Sequence, residues 1–178
     1  EKSVAIGDGA GLEYQRIRSI AIGSPAGHHS QQEFSVAIGN EAGKTNQNEN
    51  SVAIGYAAGY QDQGTTSVAI GNTAGQTNQS AFSVAIGSSA ANTNQGVSSV
   101  AIGSGAGYSN QTNNSIIINA TDNNLNNTEA DSFVVKPIRE SSGNQVLLYD
   151  DSTGEITRNN DVSLNDININ GTIKLQNI

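Results

Sequence analysis

The chain has no cysteine, methionine or tryptophan, only two prolines, and aromatics at 4% of 178 residues. Without cysteine, neither a disulfide framework nor a thiolate metal site can form. So few bulky side chains leave little to fill a conventional globular core. Basic residues are also scarce: 8 Lys and Arg stand against 16 Asp and Glu, for a net charge of −8. That balance argues against a surface built for nucleic acid or an anionic membrane. No run of eighteen apolar residues occurs, so no transmembrane helix is expected, and no membrane insertion by this segment. The sequence opens inside a repeat without Met and shows no signal-peptide pattern, which reads as a piece of a longer chain.

What the sequence has in abundance is repetition, the first thing to look for in any chain. A unit of sixteen residues opens at Ser3, Ser19, Ser35, Ser51, Ser67, Ser83 and Ser99, and an eighth begins at Ser115. Position two is Val or Ile, position three Ala, position four Ile and position five Gly in all seven units. Position eight is always Ala, position nine is Gly except at Ala91, and position thirteen is always Gln. No insertion or deletion interrupts the seven copies.

Ser-Val-Ala-Ile followed by Gly is a short strand: β-branched residues alternate with small ones, and Gly ends the run. Apolar recurrence at three and four residues is missing, and glycine is frequent, so helix is excluded. The expected fold is all-β, a solenoid in which each unit is one coil and glycines at positions five and nine turn its corners. Alternation along a strand sends positions two and four to one face and positions one and three to the other. On the premise that the larger apolar residues lie inside, the expected roll core is Val4, Ile6, Ile20, Ile22, Val36, Ile38, Val52, Ile54, Val68, Ile70, Val84, Ile86, Val100 and Ile102.

The alanine column then needs its own explanation. A strand face turned to water would vary, as positions six, seven, ten and fourteen do, whereas Ala5, Ala21, Ala37, Ala53, Ala69, Ala85 and Ala101 never do. One reading is an oligomer interface, in which copies of this column meet around a shared axis; the other is a coil interior that tolerates only alanine. The column of Gln15, Gln31, Gln47, Gln63, Gln79, Gln95 and Gln111 also has two readings. The amides either bond each other along the rod as a structural ladder, or each ties down its own loop.

"SVAIGxxAG" resembles the "SVAIGxxS" repeat in the heads of trimeric autotransporter adhesins, the YadA-like heads of bacterial surfaces. The resemblance covers residues 3 to about 119. It implies a left-handed parallel β-roll, a homotrimer around one axis, and contact with host or matrix surfaces. Position eight is Ala rather than that family's usual Ser, and no heptad stalk follows. The TNQ segments (45–47, 77–79, 93–95) with "NSIIINAT" and "FVVKPIRESSGNQVLLYDDSTGEITRN" also resemble repeat proteins of large algal viruses and phage tail fibres.

Domain organisation is read as a roll over 1–119, a polar linker over 120–131 and a β-rich C-terminal segment over 132–178. Ile116–Asn119 is expected to cap the roll, since Ile117 replaces the alanine and Asn119 the glycine. Pro137 marks an edge strand. Short β-hairpins are expected around Asp151–Gly154 and around Asn170-Gly171, where Ile167, Ile169, Ile173 and Leu175 alternate.

A search for chemistry finds none. His28 and His29 occupy variable loop positions without a nucleophile beside them. Asp150, Asp151 and Glu155 lack calcium-loop spacing. Asn78, Asn110, Asn113, Asn119, Asn126 and Asn170 head N-x-[ST] sequons, which matter only on a glycosylating route. Tyr56, Tyr60 and Tyr108 stand at variable positions, either as scattered exposed residues or as platforms for sugar rings. No enzyme, cofactor or metal is expected. The expected function is a structural attachment protein, a rigid trimeric fibre or head outside the cell, on a virion or a bacterial surface, touching a host glycan or protein receptor. A filament or spacer without a ligand is the alternative. An ice-binding solenoid is remote, because the threonine column at position eleven is broken by Glu13, His29, Gln61 and Ser109.

Overall fold

The computed structural model describes residues 2–138 and 146–159. The chain divides into two units, 1–138 and 139–178. In the first, each SVAI segment forms one short strand, beginning with β1 (Val4–Ile6), β2 (Ile20–Ile22) and β3 (Val36–Ile38). From the third coil a second strand appears at positions eleven to thirteen. The order becomes β4 (Thr45–Gln47), β5 (Val52–Ile54), β6 (Gln61–Gln63), β7 (Val68–Ile70), β8 (Thr77–Gln79), β9 (Val84–Ile86) and β10 (Thr93–Gln95). β11 (Val100–Ile102), β12 (Ile116–Asn119) and β13 (Phe133–Lys136) complete the first unit.

From β1 to β11 the neighbours of the first sheet pair in parallel and in register, Val on Val or Ile and Ala on Ala. The result is a β-solenoid with a nine-stranded sheet ordered β1-β2-β3-β5-β7-β9-β11-β12-β13 and a four-stranded sheet ordered β10-β8-β6-β4. The backbone is bonded coil to coil outside the strands too: Gly43 N donates to Ala58 O at 2.9 Å, and Asn46 N to His29 O at 3.0 Å. Most peptide groups of a coil are therefore satisfied by its two neighbours, which is why one coil has no stability by itself.

The interior is the reverse of the one expected. Ala21, Ala37, Ala53, Ala69, Ala85 and Ala101 are fully buried, as are the serines from Ser19 to Ser115 and the glutamines from Gln31 to Gln63. The Val and Ile positions are half-exposed or exposed, from Val36, Val52 and Val68 to Ile86 at 37% and Ile102 at 39%. Only at the first coil is the alanine (Ala5) itself exposed. Space is the physical reason. A Cβ added to Gly43, across the coil, would lie 3.2 Å from the Ala37 Cβ and 2.6 Å from the Gln47 Oε1. A sixteen-residue coil flattened into two strands leaves room for a methyl between its walls, and a Val or Ile side chain would force them apart.

The roll does not end at 116–119. β12 pairs on its far side with β13, Ile117 opposite Val134. Residues 120–131, expected as a linker, complete the eighth coil, whose irregular spacing conceals its period, and Ser132 opens a ninth strand. Leu125 pairs with Ala106 and is buried. Asn127 lies sixteen residues after Gln111, in the glutamine column. Ser132 Oγ donates to Glu129 O at 2.8 Å, repeating the bond each opening serine from Ser19 to Ser115 makes three residues back, as Ser83 does to Ser80 O at 2.6 Å.

In the second unit, β14 (Val146–Asp150) and β15 (Glu155–Asn159) pair antiparallel across residues 151–154. Asp150 Oδ1 accepts from Ser152 Oγ at 2.6 Å, Ser152 N at 2.8 Å and Thr153 N at 3.2 Å. These bonds, the Ser152 hydroxyl foremost, hold the Asp150 carboxyl below its ordinary value. The expected turn at Asn170-Gly171 lies outside the described residues.

Candidate interaction surface

A solenoid presents columns, so its sites are built by repetition. Three columns decide what this surface can do.

The first is internal and sets the rigidity of the rest. Each glutamine donates from Nε2 to the carbonyl at position two of its own coil, as Gln79 does to Val68 O at 2.8 Å. The same nitrogen reaches the amide oxygen of the next coil in Gln15–Gln31, Gln31–Gln47, Gln63–Gln79, Gln79–Gln95 and Gln95–Gln111, at 3.1–3.2 Å. One glutamine thus closes its own coil and bonds its neighbour. The chain of amides is interrupted once, at Gln63 Oε1, which has no partner. A buried amide ladder in low dielectric is strong when satisfied and costly when cut.

The second column pair is outward and apolar. Positions two and four of the nine-stranded sheet carry Val or Ile from Val4 to Ile118, with Phe133 added at the end and 52% exposed. Phe34 and Phe82, at position sixteen beside this face, are 49% and 62% exposed. A row of β-branched side chains two abreast and nine strands long is a continuous apolar strip, unlike the scattered single residues normal on a soluble surface. The residues expected as the core form this strip. The alanines expected as an oligomer interface, from Ala21 to Ala101, lie inside the coil and touch no outside surface.

The third surface is polar and belongs to the four-stranded sheet. Position twelve places Asn46, Asp62, Asn78, Asn94 and Asn110 in left-handed backbone with φ of 54–55°. Asn46 Nδ2 donates to Asp62 Oδ1 at 2.8 Å, Asn78 to Asn94 at 3.0 Å and Asn94 to Asn110 at 2.9 Å. Asn tolerates this backbone better than most residues, so the column is both conformationally and laterally stabilised.

No family model, curated protein or solved structure matches this chain.

The tyrosines are not brought together as one site. Tyr56 is 52% exposed at position six. Tyr60 and Tyr108 are half-buried at position ten, three coils apart. Tyr60 has the most structured surroundings. Lys44 Nζ lies 5.1 Å from its ring centroid, 3.4 Å from its hydroxyl and 2.7 Å from Glu41 Oε1. The Glu41 bond, followed by that to Tyr60, holds the Lys44 ammonium above its ordinary value. His29 Nδ1 lies 2.8 Å from Glu13 Oε2 one coil earlier, and the His28 ring stands edge-on to it with centroids 4.0 Å apart. Of the sequon asparagines, Asn78, Asn110, Asn113 and Asn126 are exposed and Asn119 is buried.

Sequence reasoning missed the apolar strip because it assigned the larger residues to the interior. The signal was present: Ser, Ala, Gly and Gln are fixed, whereas position two accepts Ile20 among valines. Position four is as constant as these, yet its Ile lies outward, so constancy alone does not separate the enclosed set; the small size of the Ser and Ala set does.

Proposed function

We propose that this chain is a structural attachment protein: a rigid homotrimeric fibre or head, displayed outside the cell on a virion or cell surface and contacting a host surface. The observation that supports it most is the outward Val and Ile strip along nine strands. Three copies of such a strip, turned to a common axis, bury it from water and form a second core larger than any coil can hold. Three left-handed rolls around one axis is also what the resemblance to adhesin heads implies. Burial of apolar surface contributes roughly 25 cal/mol per Å², so a strip repeated over nine strands favours association strongly. The polar four-stranded sheet and the tyrosine-bearing edges then face outward, in threefold multiplicity, and weak contacts add by avidity.

Light scattering tests the assembly: a species near three times 18.3 kDa is expected. Binding to host cells and to a glycan array tests the attachment role, with Tyr56→Ala and Tyr60→Ala expected to weaken any glycan contact. A monomer at micromolar concentration overturns the trimer. A trimer that binds neither cells nor glycans leaves the spacer. One observation favours that second reading: the outward asparagines of the polar sheet already bond one another, which reduces the donors left for a ligand.

A further inference from the structure

Position sixteen, beside the outward Val and Ile strip, holds two residues that its backbone does not suit. All seven members of the column take left-handed φ, from Arg18 at 60° to Asn114 at 53°. Coil stacking holds them there: Asn50 N donates to Glu33 O at 3.2 Å, Thr66 N to Glu49 O at 2.9 Å and Phe82 N to Thr65 O at 3.1 Å. Asn50 and Asn114 fit such a backbone, whereas a bulky aromatic is strained in it. Phe34 and Phe82 nonetheless stand there, both at φ of 58°.

Neither ring offsets that strain by packing within its own chain. Phe34 is 49% exposed and Phe82 62%. The Arg18 guanidinium lies 5.3 Å from the Phe34 centroid, and Phe82 has no such cation or ring beside it among the described residues. A strained and exposed aromatic at the edge of an apolar strip points to a contact made outside the chain.

Charge selects the occupant. The chain carries a net charge of −8, so its copies repel one another unless they meet on a face without carboxylates. In residues 3–118 the acids are Asp8, Glu13, Glu33, Glu41, Glu49 and Asp62, at positions six, seven, eleven, twelve and fifteen of their units. Positions two, four and sixteen hold none. This face also repeats at the coil spacing, so another roll of the same spacing meets it coil for coil along its length.

We infer that Phe34 and Phe82 are the anchors of an interface between copies of this chain, each ring lying on the Val and Ile strip of the neighbouring copy. The inference rests on the trimer reading and names the residues that hold it together. Three coils, roughly 14 Å, separate the two rings, so each copy grips its neighbour at two heights of the rod. Desolvated aromatics carry a large share of the binding energy at an interface, and the Val and Ile around them exclude water.

The test replaces both rings by a residue that their backbone accepts, Phe34→Asn with Phe82→Asn, in the full chain. Sedimentation equilibrium is expected to show the dissociation midpoint of the trimer rising about tenfold or more. Hydrogen exchange at the Ala37 and Ala85 amides, three residues beyond each ring, is expected to stay as slow as before, because Asn relieves the strain in the coil. Phe34→Leu with Phe82→Leu, which keeps apolar side chains, is expected to give an intermediate midpoint. An unchanged midpoint for the Asn pair assigns the rings to a partner of another kind and overturns the inference while the trimer stands. Faster exchange confined to Ala37 and Ala85 assigns the rings to their own coils and overturns it as well. A chain that is monomeric before any substitution removes the inference and the trimer together.

Discussion

At the scale of residues, enclosure by the coil outweighs hydrophobicity in deciding which face is inward. Alanine buries far less apolar surface than Val or Ile, yet it occupies the interior because the opposite wall is a methyl away. Ala69→Leu is therefore expected to destabilise the roll by about 1–3 kcal/mol through overpacking. Val68→Ala, one residue earlier but outward, is expected to leave coil stability in an isolated chain nearly unchanged. Urea denaturation of both separates inside from outside. Gln79→Ala removes the donor to Val68 O, the acceptor of Gln63 and the donor to Gln95. Each buried group left unsatisfied costs about 1–3 kcal/mol, so Gln79→Ala is expected to be strongly destabilising, as is Gln95→Ala, which cuts the same set of bonds. Gly71 is equally intolerant: at φ of 132° an added Cβ would lie 2.6 Å from the Gly87 carbonyl oxygen, a backbone atom with nowhere to go. Gly71→Ala is expected to lower the melting temperature clearly, whereas Ser88→Ala, at an exposed position, is not.

At the scale of elements, the strands are three or four residues long in the roll and owe their order to stacking. The β14–β15 pair is different, because a two-stranded ribbon is marginal and its turn carries much of its order. The Asp150 carboxyl is depressed by the hydrogen bonds it accepts, so its folded value lies below its unfolded one. Its contribution to the ribbon is present above the ordinary aspartate value and is lost as pH falls through the depressed folded value. Amide shifts of Ser152 and Thr153 followed by NMR are expected to titrate together at a pH below that of a free aspartate, and Asp150→Asn to abolish that titration. The eighth coil teaches a related lesson. Ser132, Phe133 and Val134 follow the repeat's order, but the insertion ahead of them shifts their register to seventeen residues. A period of sixteen cannot locate a coil of another length, whereas the serine hydroxyl bonded three residues back does.

At the scale of the whole molecule, a strip of Val and Ile along nine strands needs a cover, and the proposed cover is two further copies. Val52→Asp with Ile70→Asp places two charges at its centre while leaving the coil interior untouched. The double variant is expected to shift the species seen by light scattering from trimer to monomer while keeping the β-rich circular dichroism spectrum. Loss of both mass and spectrum at low concentration would mean that coil and assembly form together, and an unchanged mass would remove the strip from the interface.

The sequence by itself determined the coil length, the parallel stacking in register, the sites of the glycine corners and the constancy of the glutamine column, because strict repetition forces equivalent residues to equivalent places. The tertiary structure alone decided which face is inside. Alternation along a strand splits residues into two sets without saying which is enclosed; that depends on the distance between the coil's two walls, and only the closed backbone fixes it. That closure moved Val and Ile to the surface, drew Ala, Ser and Gln inward, and carried the roll one coil further through Leu125 and Asn127, whose irregular spacing no period could reveal.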